Sequence, residues 1–241
     1  MLTVPYGDAV AADRELVEQV RRGLAEAADP ARAPAMQAYM KSTMPFHGVA
    51  APQARRVFRA AFDAHPLADR RAWQDTVTSL WDEAGHREER YAAIALARHP
   101  RYRAHRDARL LPLWAHLVTT GAWWDLVDDV AAHLVGPLLL TEHAAAEPVV
   151  RGWATDSDRW LRRAAVICQL AAKERTDLDL LTVAVDANLD DPDFFLRKAI
   201  GWALRQYAYA DPDWVRRFVA ARSDRLSGLS RREALKHLGA A

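Results

Sequence analysis

An internal repeat of about 36 residues constrains this chain more than any other feature. Three segments share one pattern: ERYAAIAL from Glu89, LRRAAVIC from Leu161 and LRKAIGWA from Leu196. The period lies within the range of helical-hairpin solenoids. Apolar residues recur at helical spacing almost throughout, and no stretch shows sustained two-residue alternation. The sequence therefore predicts an all-α solenoid of about six helical pairs.

Proline residues punctuate the predicted helices, several of them where a helix begins. Ser230, with Glu233 three residues later, has the spacing of a capping box at the start of the last helix. No low-complexity linker divides the chain, so we expect a single domain over residues 1–241.

Compartment and cofactor content can also be read from the sequence. The segment Met1 to Ala12 has no basic region followed by an apolar block, and no apolar run approaches the ~20 residues of a membrane span. Cys168 is the one cysteine and lies in an apolar stretch, which favours a structural thiol in a reducing compartment. The histidines show no metal-ligand spacing. We expect a cytoplasmic protein without a metal or cofactor.

The charge is unevenly distributed along the chain. The formal net charge of +1 combines −2 for residues 1–150 with +3 for residues 151–241, where most cations are arginine. Arginine interleaved with tryptophan suits phosphate contact, although scattered solvated charge also produces such an imbalance.

Asp128 stands out when the repeat is extended. One period before Ala164 and one period after Ala92 both lead to this residue, so we expect a carboxylate where sister repeats carry alanine. Trp124 precedes Asp128 by one helical turn and shares its helix face. The same alignment of the repeats matches Trp124 with Trp160 and Phe195. An aromatic residue that recurs at one repeat position favours a packing role for Trp160 and Phe195.

Equivalent positions of a solenoid stack along a common surface, so Asp128, Arg163 and Trp202 from successive repeats can line one groove. The structural alternative stays open at this point. A tryptophan in a helical repeat is more often part of the core, and an aspartate beside an arginine is usually a structural ion pair.

Five segments of the chain carry a resemblance to a known family: Tyr39-Met40-Lys41, WWDLVD from Trp123, WLRRAA from Trp160, KAIGWALR from Lys198 and SRREALKH from Ser230. In the same order and with similar gaps, they resemble segments of the AlkD-type family of DNA alkylation repair glycosylases. The resemblance spans nearly the whole chain and implies an α-α superhelix of HEAT-like repeats with a concave DNA-binding face. One departure is Ala50 in HGVAAP, where a branch of the family carries glutamine. It bears on any contact made there and on the preferred lesion size.

The resemblance implies roles for individual residues. The catalytic carboxylate falls on Asp128, and the sugar-contacting tryptophans fall on Trp124 and Trp202. The residues expected to contact DNA, several of them through its phosphates, are Arg163, Arg205, Tyr39, Lys41, Arg231 and Arg232.

The implied activity is hydrolysis of the N-glycosidic bond of cationic N3- or N7-alkylated purines, such as 3-methyladenine and 7-methylguanine, in duplex DNA without base flipping. Such a base leaves as a neutral molecule, so a single carboxylate suffices where ordinary glycosidases use two. The setting is base excision repair or self-resistance to DNA-alkylating agents, and either a methylpurine or a bulky adduct fits. We expect a monomer that associates with the nucleoid through double-stranded DNA.

Other classes of function remain alternatives. A non-catalytic HEAT-like module could bind DNA or serve as a protein scaffold, because helical solenoids host many functions. An RNA-binding repeat code would need base-reading side chains that recur in every repeat, and no such recurrence is visible.

Overall fold

A computed structural model describes residues 12–238. Over this range the chain consists of helices and connecting turns without a β-strand, which confirms the all-α class. The segment Met1 to Ala12, on which the signal-peptide argument rests, lies outside the described residues except for Ala12. Among the described helices, none has both the length and the apolar character needed to cross a membrane.

The described residues form two compact units, one ending at His105 and the other starting at Arg106. The interpretation of residues 1–241 as a single domain stays a prediction.

The first unit is built from five α-helices. In it α1 packs against α3, α4 and α5, and α5 packs against both α3 and α4. Leu16, Val20 and Leu24 are completely buried on one side of α1, as their helical spacing predicts. The helices are α1 (Arg14–Glu26), α2 (Ala33–Met40), α3 (Ala51–Ala64), α4 (Arg70–Asp82) and α5 (Arg87–Ala97), followed by a 3₁₀ segment (Pro100–His105).

The loop that leads into α3 is held by a buried carboxylate. Glu88 is 1% exposed and accepts hydrogen bonds from the backbone amides of His47, Gly48 and Val49. Gly48 has a φ of +83°, and a Cβ there would lie 2.2 Å from the backbone oxygen of Asp29. Glycine is therefore required at this close approach of two backbone segments.

The second unit contains nine further helices. In it α10 packs against α7 and α12, α12 packs against α14, and α9 packs against α8, α10 and α11. A π-helical turn (Ala131–Val135) joins α7 to α8. The helices are α6 (Leu111–Gly121), α7 (Trp124–Val130), α8 (Gly136–Thr141), α9 (His143–Trp153), α10 (Arg159–Ile167), α11 (Leu178–Asp186), α12 (Phe194–Tyr207), α13 (Pro212–Ala220) and α14 (Gly228–Ala234).

The repeat is visible in where six of these helices begin. Their N-cap residues follow one another at intervals of about 36 residues, which confirms the period found in the sequence. The caps are Ala50 of α3, His86 of α5, Trp123 of α7, Asp158 of α10, Asp193 of α12 and Ser227 of α14. We number helix positions from the N-cap, which is position 0.

This register corrects the one expected from the sequence. Asp128 is at position 5 of α7, which is the position of Arg163 in α10 and Lys198 in α12. The residue of α7 at position 6 is Asp129. Position 6 of α5, α10 and α12 holds the fully buried alanines Ala92, Ala164 and Ala199. The expectation that Asp128 replaces a sister-repeat alanine is therefore wrong by one residue.

Side-chain contacts in the second unit repeat the same interval. Arg163 bonds Asp128 at a sequence separation of 35 residues, and Lys198 bonds Glu233 at the same separation. Asn188 donates to the carbonyl of Ala154, 34 residues away. Each repeat is thus tied to its neighbour by polar contacts one period apart, as expected of a repeat protein.

The start of α14 differs from its prediction. The helix is capped by Ser227, whose hydroxyl accepts from the backbone amide of Ser230. Ser230 lies inside the helix, is 1% exposed and donates to the carbonyl of Arg197 in α12. The capping box predicted for Ser230 and Glu233 is therefore wrong, and Ser230 instead links two packed helices.

Cys168 follows α10 and is 1% exposed. Burial raises the pKa of its thiol to about 12, so the nucleophilic thiolate form is suppressed. This environment agrees with the structural role expected from the sequence.

Candidate active site

Asp128 and Arg163 form a bidentate ion pair between α7 and α10. Arg163 Nε donates to Asp128 Oδ1 and Arg163 Nη2 donates to Asp128 Oδ2, each over 2.7 Å. The side chains are 15% and 4% exposed, respectively, so the pair is largely withdrawn from solvent while the carboxylate keeps an open edge. Two parallel hydrogen bonds hold the plane and position of the carboxylate.

Arg163 makes a third hydrogen bond, in which its Nη1 donates to the backbone carbonyl of Phe195 at the start of α12. Its guanidinium carbon also lies 6.0 Å from the centre of the Phe195 ring. All three nitrogens of the guanidinium thus donate to protein groups, two of them to Asp128 and one to Phe195. This placement differs from the phosphate contact expected for Arg163 and suits a residue that positions Asp128.

The protonation of Asp128 reflects two opposing influences. Burial raises the pKa of this carboxyl group, while the hydrogen bonds and positive charge of Arg163 oppose the rise. The neighbouring charges of Asp125 and Asp129 add a smaller increase in the same direction as burial. Arg163 therefore favours the ionised form of a carboxylate that its surroundings would otherwise protonate more readily.

Trp124 and Trp202 are both partly exposed. Trp124 is at position 1 of α7, one turn before Asp128 and on the same helix face. Trp202 is at position 9 of α12, one turn after Lys198. Within residues 12–238 neither indole has a hydrogen bond or ring contact. Two aromatic faces of the second unit thus remain available to a ligand, while the concave surface expected to unite them stays a prediction.

Trp123, which the sequence argument did not single out, forms an aromatic cluster with Trp160 and Phe195, the two residues that the sequence had aligned with Trp124. Its ring centre lies 6.0 Å from that of Trp160 and 5.3 Å from that of Phe195, and the latter two rings are 5.1 Å apart. The packing roles of Trp160 and Phe195 agree with expectation, but their partner is Trp123. Its extended backbone at the N-cap turns the side chain towards the next repeats.

Arg205 is tied to α14. Its Nη1 lies 2.5 Å from Glu233, which also accepts from Lys198 over 2.7 Å. The Lys198 ammonium lowers the pKa of Glu233, and the charge of Arg205 contributes to the same shift. Arg205 is 20% exposed, so a phosphate could reach it only while Glu233 still competes for its donors.

The other expected DNA contacts lie on the surface. Tyr39 of α2 is 74% exposed, and Lys41, which caps the same helix, is also exposed and has a left-handed backbone. Arg231 and Arg232 of α14 are exposed as well. Tyr39 and Lys41 belong to the first unit, whereas Asp128 and its neighbours belong to the second.

Three side chains of the first unit, His47, His86 and Glu89, offer metal-ligand atoms within 4.8 Å of one another. The two imidazole rings are stacked with their centres 3.6 Å apart, and burial together with His86 lowers the pKa of His47. Glu89 already accepts from Arg21 and from the backbone amides of Gly85 and His86. Its carboxylate is thus used in closing the N-terminus of α5.

The second unit therefore combines an oriented carboxylate with two accessible aromatic side chains, on helices of one repeat series. The sequence profile of the family described as DNA alkylation repair enzyme matches residues 20–238. The chain belongs to this family.

A solved structure agrees with that assignment. The chain is similar to a predicted DNA alkylation repair enzyme from Enterococcus faecalis, with a TM-score of 0.79 and 30% sequence identity. The similarity covers 89% of this chain and 98% of the other. Among curated protein sequences, none matches this chain.

Proposed function

We propose that this protein is a DNA glycosylase that hydrolyses the N-glycosidic bond of cationic N3- and N7-alkylated purines in duplex DNA. The observation that carries the proposal is the carboxylate of Asp128, held by two 2.7 Å hydrogen bonds from Arg163 in a member of a DNA alkylation repair family. The resemblance to AlkD-type glycosylases supports the same substrate class and excision without base flipping.

The ion pair decides which lesions the site can treat. Both oxygens of Asp128 accept hydrogen bonds from Arg163, which favours the ionised carboxylate, and an ionised carboxylate has no proton to give. A neutral base leaves poorly without protonation. A purine alkylated at N3 or N7 already carries a positive charge, and the electrons of the breaking glycosidic bond neutralise it.

The remaining task is to stabilise the sugar. As the bond breaks, the deoxyribose becomes a cation resembling an oxocarbenium ion, and a preorganised carboxylate favours that charge. Asp128 keeps further acceptor sites on each oxygen, which can orient the water that attacks C1′ and accept its proton. The products are the free base and an abasic site in the duplex.

Trp124 and Trp202 would contribute through their ring faces. An aromatic face attracts a cation by roughly 0.5 to 2 kcal/mol, so the two rings add a modest stabilisation to that of the carboxylate. Their partly exposed and unpartnered state within the described residues suits this role. The repair setting is base excision or self-resistance to an alkylating agent.

The direct test is to incubate the purified protein with duplex DNA that carries 7-methylguanine or 3-methyladenine and to measure the released base. A matched duplex that carries uracil, a neutral base, is the control. We expect release from the cationic lesions and far slower release of uracil. Uracil excision at a comparable rate would exclude the single-carboxylate mechanism, and DNA binding without any base release would favour a non-catalytic module.

A further inference from the structure

Three exposed arginines lie close together on α3 of the first unit: Arg55, Arg56 and Arg59. Within residues 12–238 none of them has an ion pair or a side-chain hydrogen bond. Many other arginines of the chain are paired, as Arg101 is with Asp63 near the end of the same helix. Guanidinium groups that have no acidic partner keep all their donors for a ligand.

Two of the three occupy notable positions in the repeat register. Arg55 is at position 5 and Arg59 at position 9 of α3. In α12 the same positions hold Lys198 and Trp202, and in α7 position 5 holds Asp128. Positions 5 and 9 are one helical turn apart and point the same way. Arg56 is at position 6 and so belongs to neither of these two positions.

The surroundings separate the three arginines in the same way. Arg55 and Arg59 border an open groove of about 350 Å³ between α3 and α5, whose floor includes the buried rings of Phe58 and Phe62. Arg56 borders a different groove, between α1 and α3, together with Arg22. Arg55 and Arg59, at positions 5 and 9 of α3, thus border one groove, whereas Arg56 borders another.

We propose that Arg55 and Arg59 form a phosphate-binding pair that holds the backbone of duplex DNA. The inference rests on the proposed function for the nature of the partner. A guanidinium fork matches the oxygens of a phosphodiester, and two forks one turn apart can each take one phosphate. Such contacts position DNA and add affinity without reading its sequence. They would supply part of the DNA attraction that the net charge of +1 does not indicate.

The test compares two double variants that lose the same charge from the same region. Arg55→Gln/Arg59→Gln removes the pair, and Arg22→Gln/Arg56→Gln removes two exposed arginines of the α1–α3 groove. Equilibrium binding to an unmodified duplex is measured over a salt titration. Loss of two phosphate contacts should reduce the slope of log K against log salt by about 1.8. The matched control should keep the wild-type slope, and Arg55→Lys/Arg59→Lys should retain most of it.

Equal slopes for the two glutamine variants would overturn the inference, because only general charge would then matter. Wild-type protein that does not bind duplex DNA would overturn it as well. Single-turnover excision of 7-methylguanine separates this inference from the proposed function. A changed salt slope without excision by the wild type would keep the arginine pair and reject the glycosylase. Excision by a wild type whose binding is indifferent to Arg55 and Arg59 would do the reverse.

Discussion

At the scale of single residues, Asp128 and Arg163 depend on each other. A largely buried ion pair gains little net stability, because removing two charges from water offsets their attraction. Loss of one partner is costly, since the other charge then stays buried without compensation. Net stability is therefore a weak explanation for this ion pair. A better explanation is that Arg163 fixes the position of the Asp128 carboxylate, one edge of which stays open to solvent.

Replacement of Asp128 by asparagine separates chemistry from binding. The variant keeps the volume of the side chain but loses the negative charge that faces the cationic sugar. A preorganised electrostatic contact is worth roughly 2.7 to 4 kcal/mol, so single-turnover excision should slow by about 10² to 10³. Affinity for DNA should not fall, because removal of an acid near a polyanion reduces repulsion.

The adjacent Asp129 provides the matched control for this experiment. It lies at position 6 of α7, directly after Asp128 at position 5. Asp129→Asn removes the same charge from the same helix and should leave the excision rate near that of the wild type. Wild-type excision by Asp128→Asn, or an equal loss in both variants, would end the catalytic assignment of Asp128.

The role of Arg163 is testable through pH. Burial raises the pKa of Asp128 and Arg163 opposes this rise, so removing the guanidinium should raise the pKa further. Excision requires the ionised carboxylate, and its rate falls as pH decreases through that pKa. The acid limb of the rate profile should therefore move to higher pH in Arg163→Gln and move less in Arg163→Lys. A lower rate with an unshifted acid limb would indicate a merely structural arginine.

At the scale of elements, the sequence predicted the helices and their period but not the register within α7. The interval between consecutive N-caps varies around the mean of about 36 residues, because the connections differ in length. The interval from His86 to Trp123 is longer than the mean, and that from Trp123 to Asp158 is shorter. Counting one mean period from either neighbour therefore arrives one residue early, at Asp128 instead of Asp129.

The local backbone conformation, and not the shift in register, explains why Trp123 escaped notice. Trp123 precedes α7 as its N-cap, and its extended backbone directs the ring towards Trp160 and Phe195. Two adjacent tryptophans are equivalent in composition and nearly equivalent in spacing. Only the backbone conformation at the start of the helix decides which one packs and which one stays accessible.

The close packing of α12 on α14 gives a test at this scale. A Cβ at Gly201 would lie 2.5 Å from Cβ of Glu233 and 2.9 Å from the backbone oxygen of Ser230. Because backbone must then move, Gly201→Ala should destabilise the protein by about 1 to 3 kcal/mol. A Cβ at Gly152 in α9 would meet nothing within 4 Å, so Gly152→Ala should be neutral or stabilise by about 0.4 to 1 kcal/mol.

Urea unfolding of the two alanine variants measures this difference. Similar stability of Gly201→Ala and the wild type would show that α14 shifts without cost. The Gly201 variant should also disturb the contacts that Glu233 makes with Arg205 and Lys198, since these groups lie at the same helix–helix interface.

At the scale of the whole molecule, the arrangement of charge matters more than its sum. The sequence gives a net charge of +1, from which DNA binding could not be inferred. Among the described residues, the structure distinguishes cations that bridge neighbouring repeats, such as Arg222 with Asp186, from cations without an acidic partner, such as the three arginines of α3. This division arises from tertiary contacts one period apart, which composition does not contain.

These charges also determine how stability responds to acid. The pKa of Glu233 is lowered in the folded protein, chiefly by Lys198, so the unfolded chain binds the proton more readily at that residue. Glu233 therefore contributes stability at neutral pH that is lost as pH falls through its lowered pKa. The pKa of Asp128 is raised, so the folded protein binds the proton more readily there, and this residue acts in the opposite direction.

Two variants should consequently change the acid sensitivity in opposite ways. Between about pH 6 and about pH 3, the free energy of unfolding of Glu233→Gln should fall less steeply with acidification than that of the wild type, although the variant starts less stable at neutral pH. Asp128→Asn should lose stability more steeply than the wild type, because a group that takes up its proton in the folded state has been removed. Urea unfolding across this pH range measures both slopes. Slopes that change in the same direction for the two variants would contradict the opposing pKa shifts, because they would show that Arg163 outweighs burial in setting the pKa of Asp128.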